Sequence, residues 1–487
     1  MRSILQKYPD FSAEIEQIER TGITNELINR IVDKHQHNAR FNEELIARYE
    51  AIDGGVPIFD RIPRFAEGDD SINNKINNDF FSEIVDFKTG YFAGNPISYS
   101  YGNTREALEE TGEGGDSEAE QKEARDVAAK IVTDFIYRSN MFDVDMECTK
   151  YASICGYGAR LFYINTDGDE SVMVVPPNEA AILSKTRDVT HPTYGLRYYK
   201  VKDINDVERV KAEFYDDSLI YYAEGYMGAL SIVRTEPNLF GCCPLQGIPN
   251  NREMQGDAEK VLSLIDAYDR ALSDTNNEVE SFANAYMVFK NINISEEEMH
   301  KARGSGAIQF YSGGGIDGDV YFLTKNINDN FIEHHLERLK ENIYQFSKTP
   351  NLSDDTFGTA SGISLKFKLT GLETKCGMFE AKMLSAGTYM FQLLSKVWEK
   401  KMVKIDPMQC TMTFKRNFPL DIVSEAQAVQ ALIASGVPDR IAYETALSCV
   451  DDIEYLMQEK ERQKQLMIPA LEEMMQGGME EETDEME

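Results

Sequence analysis

Residues 328–369 read NDNFIEHHLERLKENIYQFSKTPNLSDDTFGTASGISLKFKL, and the rest of the chain is organised around this stretch. Its first half carries apolar side chains spaced alternately four and three residues apart, at Ile332, Leu336, Leu339, Ile343 and Phe346. This spacing predicts a long amphipathic helix that packs against other helices. We expect the helix to end at Thr349-Pro350, because a residue that precedes proline disfavours helical backbone.

A polar segment and a second helix follow. Between Asn351 and Gly362 the chain is rich in Asp, Ser, Thr, Asn and Gly, residues that favour turns over helix. From Ile363 a helical pattern continues, with interruptions, to about Lys404. Bends or close contacts are predicted at three glycines within it, Gly371, Gly377 and Gly387. The predicted unit is therefore a helix, an exposed loop and a long helix.

Length and charge limit the classes of protein to consider. The 487 residues, of which 42% are hydrophobic, suffice for several folded domains. The net charge of −33 leaves no basic surface large enough to bind duplex DNA tightly and statically through counterion release. The N-terminal residues lack the apolar core of a signal peptide, and no apolar run reaches the length of a membrane-spanning helix. We therefore expect a soluble protein made in a cytosol.

No pattern predicts a metal site or a disulfide framework. The seven cysteines lack CxxC spacing, so we expect reduced, structural thiols. The pairs His35/His37 and His334/His335 are spaced for surface or packing roles rather than for binding one metal ion. The turn at 167–169 (Asp-Gly-Asp) lacks the remaining ligands of a calcium loop and predicts a hairpin instead.

No arrangement of residues predicts catalysis. The chain has no nucleophile elbow, Walker motif or HExxH motif, and no carboxylate pair is placed by its spacing. We expect a protein that is not an enzyme, with no catalytic residues, no metal and no cofactor.

The remaining elements indicate an α+β chain. Period-two runs rich in Tyr, Val and Ile between Lys150 and Arg234 predict an antiparallel sheet domain. Helical periodicity predicts helices within 1–52 and at Ser71–Thr89, Lys122–Tyr137, Asp257–Phe289, Ser424–Ala434, Asp439–Cys449 and Asp451–Met475. Further strands are predicted at Ile97–Tyr101, Ala307–Tyr311, Val320–Leu323 and Met408–Phe418.

Four strings of this sequence resemble the portal proteins of long-tailed (siphovirus-type) double-stranded DNA bacteriophages. They are KINNDFFSEIVDFKTGYFAGNPISY (75–99), LIDAYDRALSD (264–274), FLTKN (322–326) and HLERLKENIYQFSKTPNLSDDTFGTASGISLKFKLTGLE (335–373). They occur in the family's order and place about residues 70–460 within it. The fourth string is long and unusual, which makes it the most specific of them.

The resemblance implies the portal fold, with long helices around a ring axis, an antiparallel β-rich wing and a small α/β clip. Its implied regions are 1–250 N-terminal helices and wing, 251–290 stem helix, 291–325 clip, 326–348 second stem helix, 349–362 tunnel loop, 363–418 spine helix and wing strand, 419–475 helical crown and 476–487 disordered acidic tail.

The implied function is a ring, by family analogy dodecameric, at one capsid vertex of the virion, assembled in the host cytoplasm. The ring would conduct viral DNA during packaging and ejection. Its implied partners are the passing double-stranded DNA, the terminase large subunit, a head-completion or tail-connector protein, and the major capsid and scaffolding proteins, with no membrane.

Particular residues follow from the resemblance and the patterns together. The tunnel loop would present Asn351, Leu352, Ser353, Asp354, Asp355, Thr356, Phe357, Thr359 and Ser361 to the DNA. Lys366 and Lys368 are candidate DNA-facing residues, and the seam Ile332, Leu336, Leu339, Ile343 and Phe346 is the candidate subunit interface. In the loop, Asp354 and Asp355 would repel phosphates, so that DNA slides rather than binds. The alternative is that residues 351–361 are only a surface connection between two helices.

Two other classes of function stay open on the sequence. One is a capsid or tail structural protein without a DNA channel, for which the polar loop would be a buried contact. The other is an enzyme acting on acidic or metal-bound substrates, which a metal requirement for turnover would support.

Overall fold

The computed structural model describes residues 8–63, 72–102, 116–283, 286–290, 295, 297, 319–323, 329–351, 362–417, 422–447, 456–457 and 459–463. Within these ranges the main helices are α1 (Ser12–Thr21), α2 (Asn25–Tyr49), α3 (Phe80–Ala93), α4 (Asp116–Arg138), α5 (Met141–Cys155), α6 (Leu262–Ala283), α7 (Asp329–Ser347), α8 (Gly362–Lys400), α9 (Ile422–Ala434) and α10 (Asp439–Ala446). No helix among the described residues is both long and apolar enough to span a membrane.

The strands in the described part of the chain form four antiparallel groups, which agrees with the α+β class. They are β1 (Ser98–Tyr101), β2 (Tyr157–Ile164), β3 (Glu170–Val175), β4 (Ala180–Leu183), β5 (Tyr194–Lys202), β6 (Glu208–Tyr215), β7 (Leu219–Tyr226), β8 (Ala229–Pro237), β9 (Leu245–Pro249), β10 (Tyr286–Lys290), β11 (Asp319–Leu323) and β12 (Cys410–Thr413). The orders are β4-β5-β6-β7-β8, β3-β2-β9, β1-β12 and β10-β11.

The N-terminal helices cover one face of the five-stranded sheet. Thr24 starts α2 by accepting the backbone N–H of Leu27 at 3.3 Å, as an N-terminal capping residue does. The helices bury Leu27 and Ile31 against inward-facing sheet residues such as Leu196 and Phe214. Burial of these apolar side chains holds the helices to the sheet.

Side chains close both edges of that sheet. On the β8 edge, the Asn29 amide donates to the Leu230 carbonyl at 2.9 Å and accepts the Leu230 N–H at 2.8 Å. On the β4 edge, the Tyr8 hydroxyl accepts the Ile182 N–H at 2.6 Å and donates to the Ile182 carbonyl at 3.1 Å. Each side chain takes the place of a neighbouring strand at these residues, which discourages pairing with another chain.

Helix α8 lies at the centre of the largest core. Phe379, Met390 and Trp398 along it are fully buried, and they belong to a core that also takes residues of α3, α4 and α5. The glycines of α8 behave differently: a Cβ on Gly387 would lie 2.0 Å from the Met412 sulfur, whereas a Cβ on Gly377 would meet nothing within 4 Å. A close contact is therefore found at Gly387, and a Cβ on Gly371 would lie 3.3 Å from the Lys348 Cβ, whereas no close contact is found at Gly377. The bends stay a prediction.

The predicted hairpin at 167–169 is confirmed. Gly168 has a φ of +83°, which glycine adopts without strain, and β2 and β3 pair antiparallel on either side. The six cysteines within the described residues are free thiols, as expected, while Cys449 lies outside those residues.

The predicted helix Ser71–Thr89 is wrong in its first half, because α3 begins only at Phe80. The preceding residues are extended and lie along α6, and three of their backbone N–H groups donate to side chains of that helix. The pairs are Asn78 with Asp269 at 3.0 Å, Ile76 with Ser273 at 3.0 Å and Asn74 with Asn277 at 2.7 Å. The donors are two residues apart in an extended segment, about 6.6 Å, and the acceptors are four residues apart on a helix, about 6 Å. The two spacings match closely, so each donor lies next to an acceptor.

The predicted helix Asp257–Phe289 is wrong in its last part. Helix α6 ends at Ala283, and Tyr286–Lys290 pairs antiparallel with Asp319–Leu323. The sequence YMVFK suits a strand once a partner strand is available. Helix α5 was not predicted, since its residues were assigned in part to the sheet region.

Several predictions lie outside the described residues. They are the loop positions from Leu352 to Ser361, the strand Ala307–Tyr311, most of the helix Asp451–Met475 and the tail at 476–487.

Candidate channel and assembly surfaces

Helices α7 and α8 flank the predicted tunnel loop, residues 349–362. Helix α7 ends at Ser347, where the Thr349 N–H donates to the Tyr344 carbonyl at 3.2 Å and to the Ser347 hydroxyl at 3.3 Å. These bonds satisfy the last turn just before Pro350, as predicted. Asn351 is the last described residue before α8 begins at Gly362.

The seam predicted for subunit contacts divides into two parts. Leu339 and Ile343 are buried inside the subunit's own core, so the structure corrects their assignment to a subunit interface. Ile332 and Leu336 are half-buried, and Phe346 is 56% exposed. The buried stripe runs through Leu339, Ile343 and Ser347 at intervals of four, with Tyr344 beside it, which leaves Phe346 on the outer side.

A side-chain hydrogen bond joins α7 to α3. The Tyr344 hydroxyl lies 3.0 and 2.9 Å from the two carboxylate oxygens of Glu83. Burial, together with this carboxylate, raises the pKa of Tyr344 above its ordinary value. The hydroxyl therefore stays protonated and remains a donor.

A buried ion cluster ties α8 to α3 and α5. The Asp257 carboxylate lies 2.8 Å from the Lys88 Nζ, 3.0 Å from the Lys375 Nζ and 2.8 Å from the Ser153 hydroxyl. Burial alone would raise the pKa of Asp257, but the charges of Lys88 and Lys375 outweigh it and hold that pKa well below its usual range. Lys375 of α8 is therefore held in this buried cluster.

Two acidic residues of α8 pair with an arginine that follows β12. Glu373 and Glu380 both pair with Arg416, at 3.0 and 2.7 Å, and the Tyr91 hydroxyl donates to Glu373 at 2.9 Å. These contacts hold the segment after β12 against α8. Of the candidate DNA-facing residues, Lys368 is exposed near the start of α8, and the side chain of Lys366 lies outside the described residues.

One face of α8 is exposed and uncharged over more than twenty residues. It contains Thr370, Thr374, Gly377, Met378, Ala381, Leu384, Thr388 and Gln392. The spacing of three and four between most of these residues places them along one side of the helix. The sequence contains this pattern, but most of these residues are polar or small, so the stripe lacks the apolar repeat that predicts a contact face.

Metal chemistry has no support among the described residues, where no group of three or more His, Cys, Asp and Glu side chains could hold an ion. Asp169, part of the turn considered for calcium, lies 3.2 Å from the Lys401 Nζ. His35 is fully buried and lies 2.8 Å from the Tyr198 hydroxyl through its Nδ1, a packing role as predicted.

Comparisons with known proteins agree with the resemblance of the four strings. Residues 28–466 match the family described as phage portal protein, SPP1 Gp6-like. The portal protein of Bacillus phage SPP1 is 25% identical over 400 residues, which cover 78% of this chain and 73% of that protein. The portal protein of Clostridium phage phiCD119 is 22% identical over 330 residues, covering 64% of this chain and 68% of its own length.

Proposed function

Because this chain belongs to the SPP1 Gp6-like family of phage portal proteins, we propose that it forms a closed ring at one capsid vertex, through which viral DNA enters and leaves. Portal proteins are structural components of the virion, so the alternative of an enzyme is set aside. By family analogy the ring has twelve subunits. The observation that carries the proposal is the pair of helices α7 and α8, on either side of the predicted tunnel loop and inside the matched residues.

The tunnel loop is proposed to line the narrowest part of the channel. Its sequence between two long helices carries Asp354 and Asp355, with hydroxyl and amide side chains around them. Like charge disfavours lasting contact with phosphates, and neutral hydrogen bonds exchange readily with water. Such a lining lets DNA slide. Lys366 and Lys368 at the start of α8 stay candidate DNA-facing residues.

Subunit contacts are proposed on surfaces that carry little charge. Each copy has a net charge of −33, so identical copies repel one another wherever acidic faces meet. The uncharged face of α8 avoids that repulsion, and Ile332, Leu336 and Phe346 on α7 add apolar side chains that the subunit's own core leaves partly uncovered. The contacts are heterologous, because a ring places different faces of neighbouring copies together.

Residues 291–325 are proposed as the clip that docks the terminase during filling and a head-completion protein afterwards. The two paired strands follow α6 and precede α7 in the chain, so the strand pair joins the ends of these two helices. Removing residues 291–318 while keeping both strands should leave rings intact and abolish terminase binding. Terminase binding that survives this deletion would refute the assignment.

The channel role is tested by reversing the charge of the loop. Replacing Asp354 and Asp355 together by Lys creates sites that attract phosphate, so packaging should slow at low salt and recover as salt rises. Packaged DNA per particle is the measurement, and light scattering checks that rings persist.

A matched control makes the same charge change elsewhere. Glu123 and Asp126 are exposed on α4, and their replacement by Lys should leave packaging unchanged. If the loop variant forms rings and packages DNA normally, the electrostatic role of the loop is wrong. If particles fill equally well without this chain, the protein is instead a capsid or tail component without a channel.

A further inference from the structure

Three lysines from separate elements lie close together where α7 ends beside α8. Lys88 of α3 is 1% exposed, the side chain of Lys375 of α8 is 18% exposed, and Lys348, which follows the last residue of α7, is exposed. The chain as a whole carries −33, so positive charge is scarce in it. Three ammonium groups in one place repel one another, and the burial of two of them adds a desolvation cost.

One carboxylate, that of Asp257, lies between two of these lysines. Its oxygens are 2.8 Å from the Lys88 Nζ and 3.0 Å from the Lys375 Nζ. The Ser153 hydroxyl and the Asn250 amide also donate to it, at 2.8 and 3.2 Å. Four donors occupy this carboxylate, and its single negative charge compensates only one of the three lysines.

Lys348 is held next to the other two lysines by close packing of the backbone. A Cβ on Gly371, one turn before Lys375 on α8, would lie 3.3 Å from the Lys348 Cβ. Lys348 has a φ of +59°, in the left-handed region that favours glycine. Burial lowers the pKa of Lys375, and the charges of Lys88 and Lys348 lower it further against the opposing charge of Asp257. Among the residues that the structure describes, no carboxylate lies within ion-pair distance of Lys348.

The neighbouring acidic residues leave the excess of positive charge in place. Glu373 and Glu380 share Arg416 as their partner, and they lie roughly 200° and 140° around α8 from Lys375. Burial raises the pKa of Glu259 to about 7, so this carboxyl group is largely neutral below that pH. Three lysines against one carboxylate therefore leave two positive charges without a partner charge beside them.

We propose that Lys348 and Lys375 bind a doubly charged phosphate group in the angle between the end of α7 and α8. A phosphate group carries about −1.5 to −2 charges at pH 7, which matches the excess at this site, whereas a carboxylate or a chloride ion carries one. Each ammonium group has three N–H donors, and a phosphate offers several acceptor oxygens to them. A free phosphate ion and the terminal phosphate of a DNA strand share this chemistry.

The inference goes beyond the proposed function, because one subunit carries every residue of the site. Phosphate binding is therefore expected whether or not the chain forms rings. A chain that stays monomeric and still binds phosphate through Lys348 would refute the ring and leave the phosphate site standing.

The test titrates inorganic phosphate into the purified full-length chain by isothermal titration calorimetry, with chloride added to keep the ionic strength constant. Lys348→Gln removes one positive charge from an exposed position without touching the Asp257 cluster, and it should weaken phosphate binding at least about tenfold. Lys348→Arg keeps the charge and should bind within about threefold of the unchanged protein. Lys200→Gln, which removes a lysine whose side chain is 58% exposed on the five-stranded sheet, is the matched control and should leave binding unchanged.

Two duplex oligonucleotides of one sequence, with and without 5′-phosphates, distinguish the sources of the phosphate group. If only the 5′-phosphorylated duplex competes with inorganic phosphate, the site takes the end of a DNA strand. If neither duplex competes, the site takes the free ion. Either result supports a phosphate site at Lys348 and Lys375.

Two outcomes would overturn the proposal. One is that phosphate binds no more tightly than chloride at the same ionic strength. The other is that Lys348→Gln and the unchanged protein bind phosphate with equal affinity, which would place the bound ion elsewhere on the chain.

Discussion

At the scale of single residues, the carboxylate of Asp257 determines how α8 is held against α3 and α5. Two lysines and a serine from three different elements converge on it, and all three contacts lie within 3.0 Å. A buried charge of this kind is stable only while its partners remain, because its desolvation is not otherwise compensated.

Replacing Lys88 by Met tests that dependence. Lys88 is 1% exposed and contacts the Asp257 carboxylate, and its loss should lower the free energy of unfolding by about 3 kcal/mol. Urea unfolding at fixed protein concentration measures the change. Lys200→Met removes a lysine whose side chain is 58% exposed, and it should change stability by less than about 0.5 kcal/mol. Equal effects of the two substitutions would contradict the role given to the cluster.

A second buried carboxyl group, that of Glu259, makes the stability of the fold depend on pH. Burial raises the pKa of Glu259 to about 7, although the Gly256 N–H donates to it. The neutral form is favoured in the folded protein. The stabilising contribution of Glu259 to folding is therefore complete below its ordinary pKa of 4.5 and is lost as pH rises through about 7.

Glu259→Gln should remove that loss, since an amide does not ionise and its oxygen can still accept from Gly256. The unfolding free energy of the variant minus that of the unchanged protein should increase by on the order of 2 kcal/mol between pH 5 and pH 8. Asp145, whose pKa burial raises to about 6, affects both proteins equally and cancels in the difference. A difference in unfolding free energy that stays constant over this range would show that Glu259 does not titrate as described.

At the scale of elements, replacing two different glycines by alanine should have opposite effects on stability, because only one of them lies where a helix packs closely on a strand. A Cβ on Gly158 of β2 would lie 2.4 Å from the Cys148 carbonyl of α5, and helix backbone cannot yield cheaply. A Cβ on Gly377 of α8 would meet nothing within 4 Å.

Gly158→Ala should therefore lower the free energy of unfolding by about 2 kcal/mol. In the unassembled subunit, where a Cβ at this position meets no atom within 4 Å, Gly377→Ala should raise it by about 0.5–1 kcal/mol. Thermal denaturation of the two variants in the same buffer measures both signs. Stabilisation by Gly158→Ala would mean that β2 and α5 are not in contact as described.

Elements with a strong local pattern could be predicted from the sequence, and elements set by distant partners could not. The alternation at Tyr194–Lys202 and the seam of α7 fix their structures locally. Residues 72–79 have helical spacing at Ile72 and Ile76, yet side chains of α6 almost two hundred residues away hold them extended. Likewise Leu339 and Ile343 had the right pattern for packing, but only the fold shows that both are buried within their own chain.

At the scale of the whole molecule, charge governs how copies meet. With −33 on each subunit, repulsion is strong at low ionic strength and is screened beyond about 10 Å at 0.1 M salt. Ring formation should therefore strengthen as salt rises from about 0.05 to about 0.5 M. Sedimentation velocity across that range measures the assembled fraction, and disassembly by added salt would indicate contacts made by ion pairs instead of the uncharged face of α8.

The mass and shape of the purified full-length chain test the central claim most directly. Light scattering at micromolar concentration, together with negative-stain microscopy, should give closed rings with a central hole and a mass close to twelve times the 55.2 kDa of one subunit. A stable particle of 55.2 kDa at every salt concentration, with no rings in the images, would contradict it.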